Sequence, residues 1–245
     1  MGKNRALKLK KMKKTSLLFI FLVISSCSSK NEIESINLKN YFWKIADYEQ
    51  PKVIVYDYDS VGIVSRNYYL IEKIAGDKLQ LTRYDSRFRE TLLLIDKFRD
   101  NGVFLEKISH VEDVKQNIVT EVEIKKGLIF PFDSYRTKMI LNSSFNPKSD
   151  NQIVISQKDI RELTELTKKE INGEMIPTLI AKGHSVIEIK NLKTAELDSI
   201  KIRMETWYSK DIGITRTREI YPFGEIGDRF VERISLEEFH KLKNK

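Results

Sequence analysis

VIVYDYD, residues 53–59, sets the pattern by which the rest of the chain is read. Ile54, Tyr56 and Tyr58 fall on one face and Asp57 and Asp59 on the other. A period of two is that of a strand with one buried and one wet face. Gly62 breaks the run, and residues 64–74 resume it with Tyr, Leu, Ile and Val until Gly76-Asp77, a turn pair. Residues 79–84 and 91–98 read as two more strands. Asp100-Asn101-Gly102 is a hairpin signal, and residues 103–108 return from it. Residues 118–124 alternate again, then Lys126-Gly127 predicts a turn into Leu128-Ile129-Phe130. Short strands at this spacing, with no helices between them, predict an antiparallel meander.

Further along, residues 142–151, NSSFNPKSDN, carry the residues that favour turns, and if the domain divides, it divides there. Residues 156–171 are ambiguous. Ser156 with Asp159 resembles a helix cap, and Ile160, Leu163 and Leu166 recur at helical spacing. Asn172-Gly173, a hairpin pair, and the threonine-rich approach to it tip the reading towards strand. Residues 176–181, 185–189, 199–208 and 214–221 read as strands, with a turn at 210–213. Residues 222–228 are expected to be a loop, and 229–234 a last strand. Ser235-Leu236-Glu237-Glu238 is a capping box, so a short helix is expected through Phe239 to Lys243. At the other end, residues 37–50 hold Tyr41, Phe42, Trp43, Ile45 and Tyr48, a short helix or turn that packs an aromatic plug onto the domain. The fold expected is mainly β: a bent antiparallel sheet, as a half or open barrel, with short terminal helices.

Ahead of this domain lies KKTSLLFIFLVISSC, residues 13–27. Two lysines precede an unbroken apolar run from Leu17 to Ile24, and the small Ser25 and Ser26 lead into Cys27. Basic flank, short apolar core and small-residue cleavage site make a secretory signal. The run is too short for a membrane span, which takes roughly 20 apolar residues. Ile24-Ser25-Ser26-Cys27 resembles the lipobox of bacterial lipoproteins. That resemblance implies cleavage between Ser26 and Cys27 and a diacylglycerol on the Cys27 thiol. Met12 opens a complete short signal by itself. Residues 27–36 then form a polar tether and 37–245 a single β-rich domain. Ser28 stands where inner-membrane retention usually has Asp, so the implied address is the outer membrane, on its periplasmic face or at the cell surface.

Charge and cysteine usage narrow the function. Residues 1–26 hold seven Lys or Arg and no acid, which accounts for all but one of the formal net charge of +8. The nearly balanced remainder offers no electrostatic footprint for nucleic acid. Cys27 is the only cysteine, so the exported domain must be stable through packing without disulfides.

Candidate chemistry is sparse. His110, His184 and His240 are not spaced as metal ligands, and zinc needs three or four clustered groups. Asp57, Asp59, Glu121 and Glu123 read as the solvent face of strands, since calcium wants six to eight oxygens. No serine sits in a nucleophile elbow, and no glycine-rich loop joins a strand to a helix. No catalytic residue, metal or cofactor is therefore assigned. Trp43, Tyr56, Tyr58, Trp207 and Tyr208 are the candidate ligand or partner surface.

Thr206-Trp207-Tyr208-Ser209-Lys210-Asp211-Ile212-Gly213 is the most distinctive internal stretch. It resembles an aromatic–Tyr–x–Lys–x–x–Gly hairpin of β-rich envelope proteins, related in architecture to the open-barrel carriers of the Lol system. Read from the residues alone, it supplies a core Trp, a half-buried Tyr and a Gly that permits a bulge. Asp59-Ser60-Val61 and Asp198-Ser199-Ile200 resemble the O-glycosylation sequons of Bacteroidetes. Two function classes remain: a non-enzymatic interaction module that holds an envelope protein with sheet edges and loops, or a carrier whose concave face takes an acyl chain or other apolar ligand. A hydrolase is the remaining alternative. A hollow, apolar interior would favour the carrier.

Overall fold

The computed structural model describes residues 36–113 and 118–244. The signal, Ser26, Cys27 and nearly all of the tether lie outside the described residues. Apart from Ile36, the described residues belong to one compact unit, Asn37–Lys245.

Twelve strands run in sequence: β1 (Lys52–Ser60), β2 (Ile63–Ala75), β3 (Lys78–Tyr84), β4 (Glu90–Arg99), β5 (Gly102–Asp113) and β6 (Ile118–Pro131). Then come β7 (Met139–Phe145), β8 (Ile153–Ile171), β9 (Glu174–Asn191), β10 (Leu197–Ser209), β11 (Gly213–Tyr221) and β12 (Gly224–Ser235). Each pairs antiparallel with its sequence neighbours, and β1 pairs with β12, so the meander closes into a barrel. The mainly β, antiparallel reading with short terminal helices holds. Closure replaces the expected open edge because every residue of Lys52–Ser60 finds a partner between Ile226 and Ser235, with one bulge at Val231. Pairing the edges satisfies backbone groups that an open sheet would leave exposed.

Several boundaries differ from expectation for local reasons. Residues 156–171 are strand, within the longest hairpin of the sheet, and Asn172 and Gly173 both take the positive φ its turn requires. Lys126-Gly127 is not a turn: it continues β6, paired with Asn142 and Leu141 of β7 just after a bulge between Ile124 and Lys126. The glycine lets the strand pass against the Leu105 carbonyl, where a Cβ would overlap it. Asn142, Ser143 and Ser144 belong to β7, because β6 and β8 supply ladder partners on both sides, and the loop begins after Phe145. Gly224–Asp228 likewise belongs to β12, paired with β1 and with β11. Here two-sided pairing overrides weak strand propensity.

The run Val53-Ile54-Val55-Tyr56 is buried throughout, because β1 has a covered face on each side. Ile54 and Tyr56 share the face that turns to the barrel lumen, in keeping with the alternation. Val53 and Val55 turn outwards and are covered by the C-terminal helix α1 (Leu236–Lys243). Phe239 of α1 packs among Val53, Val55 and Tyr68, with ring centroids 5.2 Å from Tyr84 and 5.7 Å from Tyr68 and Phe88. A helix this short holds only through such packing and its caps. Ser235 Oγ accepts from the Glu238 amide at 3.1 Å, and Glu238 Oε2 accepts from the Ser235 amide at 2.8 Å. Ser235→Ala is expected to cost about 1 kcal/mol, seen as a lower urea midpoint with an unchanged m-value.

Candidate functional site

At one end the barrel is plugged by its own N-terminal segment. Two short 3-10 helices, Leu38–Tyr41 and Ile45–Tyr48, bracket Phe42 and Trp43. Phe42 is the hub: its ring lies 5.3 Å from Phe130, 6.0 Å from Phe98 and 6.1 Å from Tyr208. The plug is fastened to the turn between β10 and β11. The Asp211 amide donates to the Asn40 carbonyl at 2.7 Å, and Lys44 Nζ bonds Asp211 Oδ1 at 2.6 Å. The Trp43 indole lies flush against Gly213, whose φ is +92°. A second ion pair, Lys73 with Glu49, ties the segment to β2.

Beyond the plug the lumen is hollow. A cavity of about 320 Å³ is lined from every strand but β9. Leu81, Leu92, Leu94, Leu105, Ile108 and Leu141 form an apolar wall, while Phe42, Trp43 and Tyr208 form the floor. The half-buried Leu92, His110 and Gln157 lie towards the end opposite the plug. At that end the β1–β2 and β11–β12 turns touch through the Val61 amide and the Glu225 carbonyl, 3.0 Å apart. They expose Val61, Ile63, Val64 and Phe223.

The polar groups of the lumen divide into two kinds. Asp228 is fully engaged: Asn67 Nδ2 and Tyr69 Oη donate to its two oxygens, each at 3.2 Å. Burial pushes its pKa up, opposed by Arg83 and by these two hydrogen bonds. Tyr56 Oη is engaged too, donating to the Ile214 carbonyl at 2.7 Å. Asp96 is different. It is 2 % exposed, its Oδ1 has no hydrogen-bond partner, and burial alone pushes its pKa up to about 7. Arg161 donates from Nη1 to Thr206 Oγ1 at 3.2 Å, but its buried Nε has no partner. Both act on Tyr208. Burial raises the Tyr208 hydroxyl's pKa, with Arg161 opposing and Asp96 adding to the rise. Burial also lowers the pKa of His110, helped by Arg83 and opposed by Glu112.

Of the residues singled out in the sequence, Trp43, Tyr56 and Tyr208 meet around the cavity. Tyr58 shares the Tyr56 face but sits one step further along β1, opposite Asp228 and outside the cavity lining. Trp207 is on the outer wall, with Lys169 Nζ at 4.8 Å and the Arg216 guanidinium at 5.0 Å from its ring centre. The expected roles of Trp207 and Tyr208 are thus exchanged, because the strand parity turns Tyr208 inwards, where it is 1 % exposed. Asp57 stays on the outside, ion-paired with Arg66 and Arg229. Asp96, Arg161 and Asp228 escape a reading of the sequence. Asp96 does leave a trace: in Leu92-Leu93-Leu94-Ile95-Asp96 it takes the same face as Leu92 and Leu94, an acid in an apolar row.

These features define a closed, end-plugged antiparallel barrel with an unfilled, mostly apolar lumen. No protein-family model and no curated protein matches the chain. Among solved structures it is similar to a protein from Parabacteroides distasonis assigned as a lipoprotein: 13 % identity, 79 % of this chain, 98 % of that chain, TM-score 0.53. An exported protein with a YmcC-like fold from Bacteroides fragilis matches at 12 % identity, over 77 % of this chain and 97 % of that one, with a TM-score of 0.49. YmcC from Escherichia coli, also assigned as a lipoprotein, matches at 9 % identity, 89 % and 96 % coverage, and a TM-score of 0.34. The first of these shares the fold.

Proposed function

We propose that this is a lipid-anchored envelope protein whose barrel binds a small, largely apolar ligand in its lumen. The observation that carries the reading is the cavity: about 320 Å³, apolar along one wall, and left unfilled by the side chains around it. Protein interiors are close-packed, so an unfilled space of this size loses contacts that a well-packed core would make. It also falls within the range of roughly 300–1,000 Å³ typical of small-molecule sites. The role is binding without turnover. The anchor is the diacylated Cys27, and the address is the outer membrane. Support for both is the order of basic flank, apolar run, small residues and cysteine in residues 13–27.

The test is native mass spectrometry of residues 28–245 purified from the periplasm, a form that keeps every strand and the plug. A bound mass that leaves on organic extraction is the expected result. A clean apo mass would instead favour an interaction module. That second reading has its own observation, the exposed Val61, Ile63, Val64 and Phe223 at the open end. With β1 and β12 paired, the ring leaves no free sheet edge among the described residues, so a partner would dock on such turns.

A further inference from the structure

We propose that the ligand is a single-chain amphiphile with an anionic head, its head against Arg161 and its chain along the leucine wall. This rests on the lumenal binding reading and names its chemistry. The apolar half of the lining comes from the contiguous strands β3 to β7, through Leu81, Leu92, Leu94, Leu105, Ile108 and Leu141. Apart from Asp96 and His110, which stand on β4 and β5 among these leucines, the polar groups lie across it, with Arg161 of β8 and Thr217 and Asp228 of β11 and β12. A one-sided lining of this kind suits a molecule with an apolar body and a polar end. The space of about 320 Å³ equals about ten water volumes of roughly 30 Å³ each, enough for a chain of about ten methylene-sized groups.

The sign of the head depends on which groups stand alone. Asp228 has its donors already, and Tyr56 and Tyr69 have their acceptors. What is left over in the lining is the Arg161 Nε–H, the Asp96 Oδ1 and, on the floor, the Trp43 Nε1–H. No carboxylate lies within ion-pair distance of Arg161 among the described residues; its side-chain hydrogen-bond partners are neutral hydroxyls, those of Thr206 and Tyr208. A guanidinium held among apolar groups without an anion is costly. A ligand oxyanion at Nε would complete a charge-assisted hydrogen bond. Asp96 agrees with this. It lies in the same lining, burial holds much of it protonated near neutral pH, and a protonated carboxyl donates. Unengaged donors in one apolar chamber, the Trp43 Nε1–H among them, call for an acceptor, and Arg161 repels a cationic head.

The probes are decanoate, decanol and decylamine, three chains of one length with three heads. Each is titrated calorimetrically into residues 28–245 after ligand stripping. Decanoate is expected to bind at least about tenfold tighter than decanol, with decylamine weakest. Arg161→Gln should erase the advantage of decanoate and leave decanol unchanged. Should that variant fail to fold, Arg161→Lys, which keeps the charge but lacks Nε, should retain part of the preference. Leu94→Trp, which fills the apolar wall, should abolish binding of decanoate and decanol alike. Equal affinity for decanoate and decanol, or a preference for decylamine, overturns the anionic head. Binding that survives Leu94→Trp overturns the seat. Failure of all three probes to bind would remove the lumenal reading itself, a result distinct from loss of head preference.

Discussion

Gly213→Ala is expected to destabilise the barrel by about 2–5 kcal/mol and to unseat the N-terminal plug. Two costs combine. Gly213 holds φ at +92°, where an L-residue is disfavoured by about 1–2 kcal/mol. A Cβ at that position would also overlap the Trp43 indole, and overpacking of this kind costs about 1–3 kcal/mol. The ring cannot retreat cheaply, since Trp43 is wedged beside Phe42, with ring centroids 5.1 Å apart, as part of the floor of the lumen. The readouts are the urea midpoint and the tryptophan emission. The chain has two tryptophans, and Trp207 lies on the outer wall away from the plug, so a red shift in the variant reports Trp43 moving towards water. Gly173→Ala is the control. Its φ is +85°, but the space a Cβ would enter is open, so it should show only the backbone part, about 1 kcal/mol. If the two substitutions cost the same, the seating of Trp43 on Gly213 contributes nothing to stability.

That contact also marks where sequence reading reached and where it stopped. Strand identity was legible because alternation survives in VIVYDYD and its successors, and because Asn172-Gly173 and Asn101-Gly102 mark turns by backbone need. The plug was legible as a concentration of aromatics in residues 37–50, and the last helix as a capping box. Closure was not legible. It depends on β1 meeting β12 across nearly the whole chain, and neither strand announces its partner. Turn-rich stretches such as Asn142–Ser144 read as loop because local propensity cannot register a strand bonded on both sides. Trp207 and Tyr208 were exchanged for a related reason. The alternation of β10 is unbroken in its pairing with β9, but which parity faces the lumen is decided by the closed ladder and not by either residue. The binding groups were hardest. Asp96 and Arg161 lie 65 positions apart, and nothing in either neighbourhood says that both face one chamber. Only the placement of Asp96 in a leucine row hinted at it.

Asp96→Asn should make the ligand-free barrel more stable at alkaline pH and not at acid pH. Most buried carboxylates in folded proteins are held by donors, and their pKa values fall. Asp96 has no donor on Oδ1, and desolvation pushes its pKa up to about 7, from a reference value of 3.8. The linkage sign is therefore reversed from the usual acid case. Below the unfolded pKa both states carry the proton and burial of the neutral acid costs nothing extra. As pH rises from there to the folded pKa, the unfolded chain releases its proton first, and stability falls. The full penalty is about 4 kcal/mol, reached above pH 7 at about 1.36 kcal/mol per pKa unit. Asparagine keeps the shape and cannot ionise. Whatever its amide costs in the lumen applies at every pH, so it cancels in the comparison. The stability difference between variant and wild type should then rise by about 3 kcal/mol between pH 4.5 and pH 8.5, measured by urea unfolding at both values. Asp228, whose pKa is also raised, is unchanged by the substitution and drops out of the difference. A flat difference would mean that Asp96 is supplied with a donor in solution. In that case the chamber is wetter at that wall than an apolar site requires, and the protonated acid could no longer serve the head of a ligand.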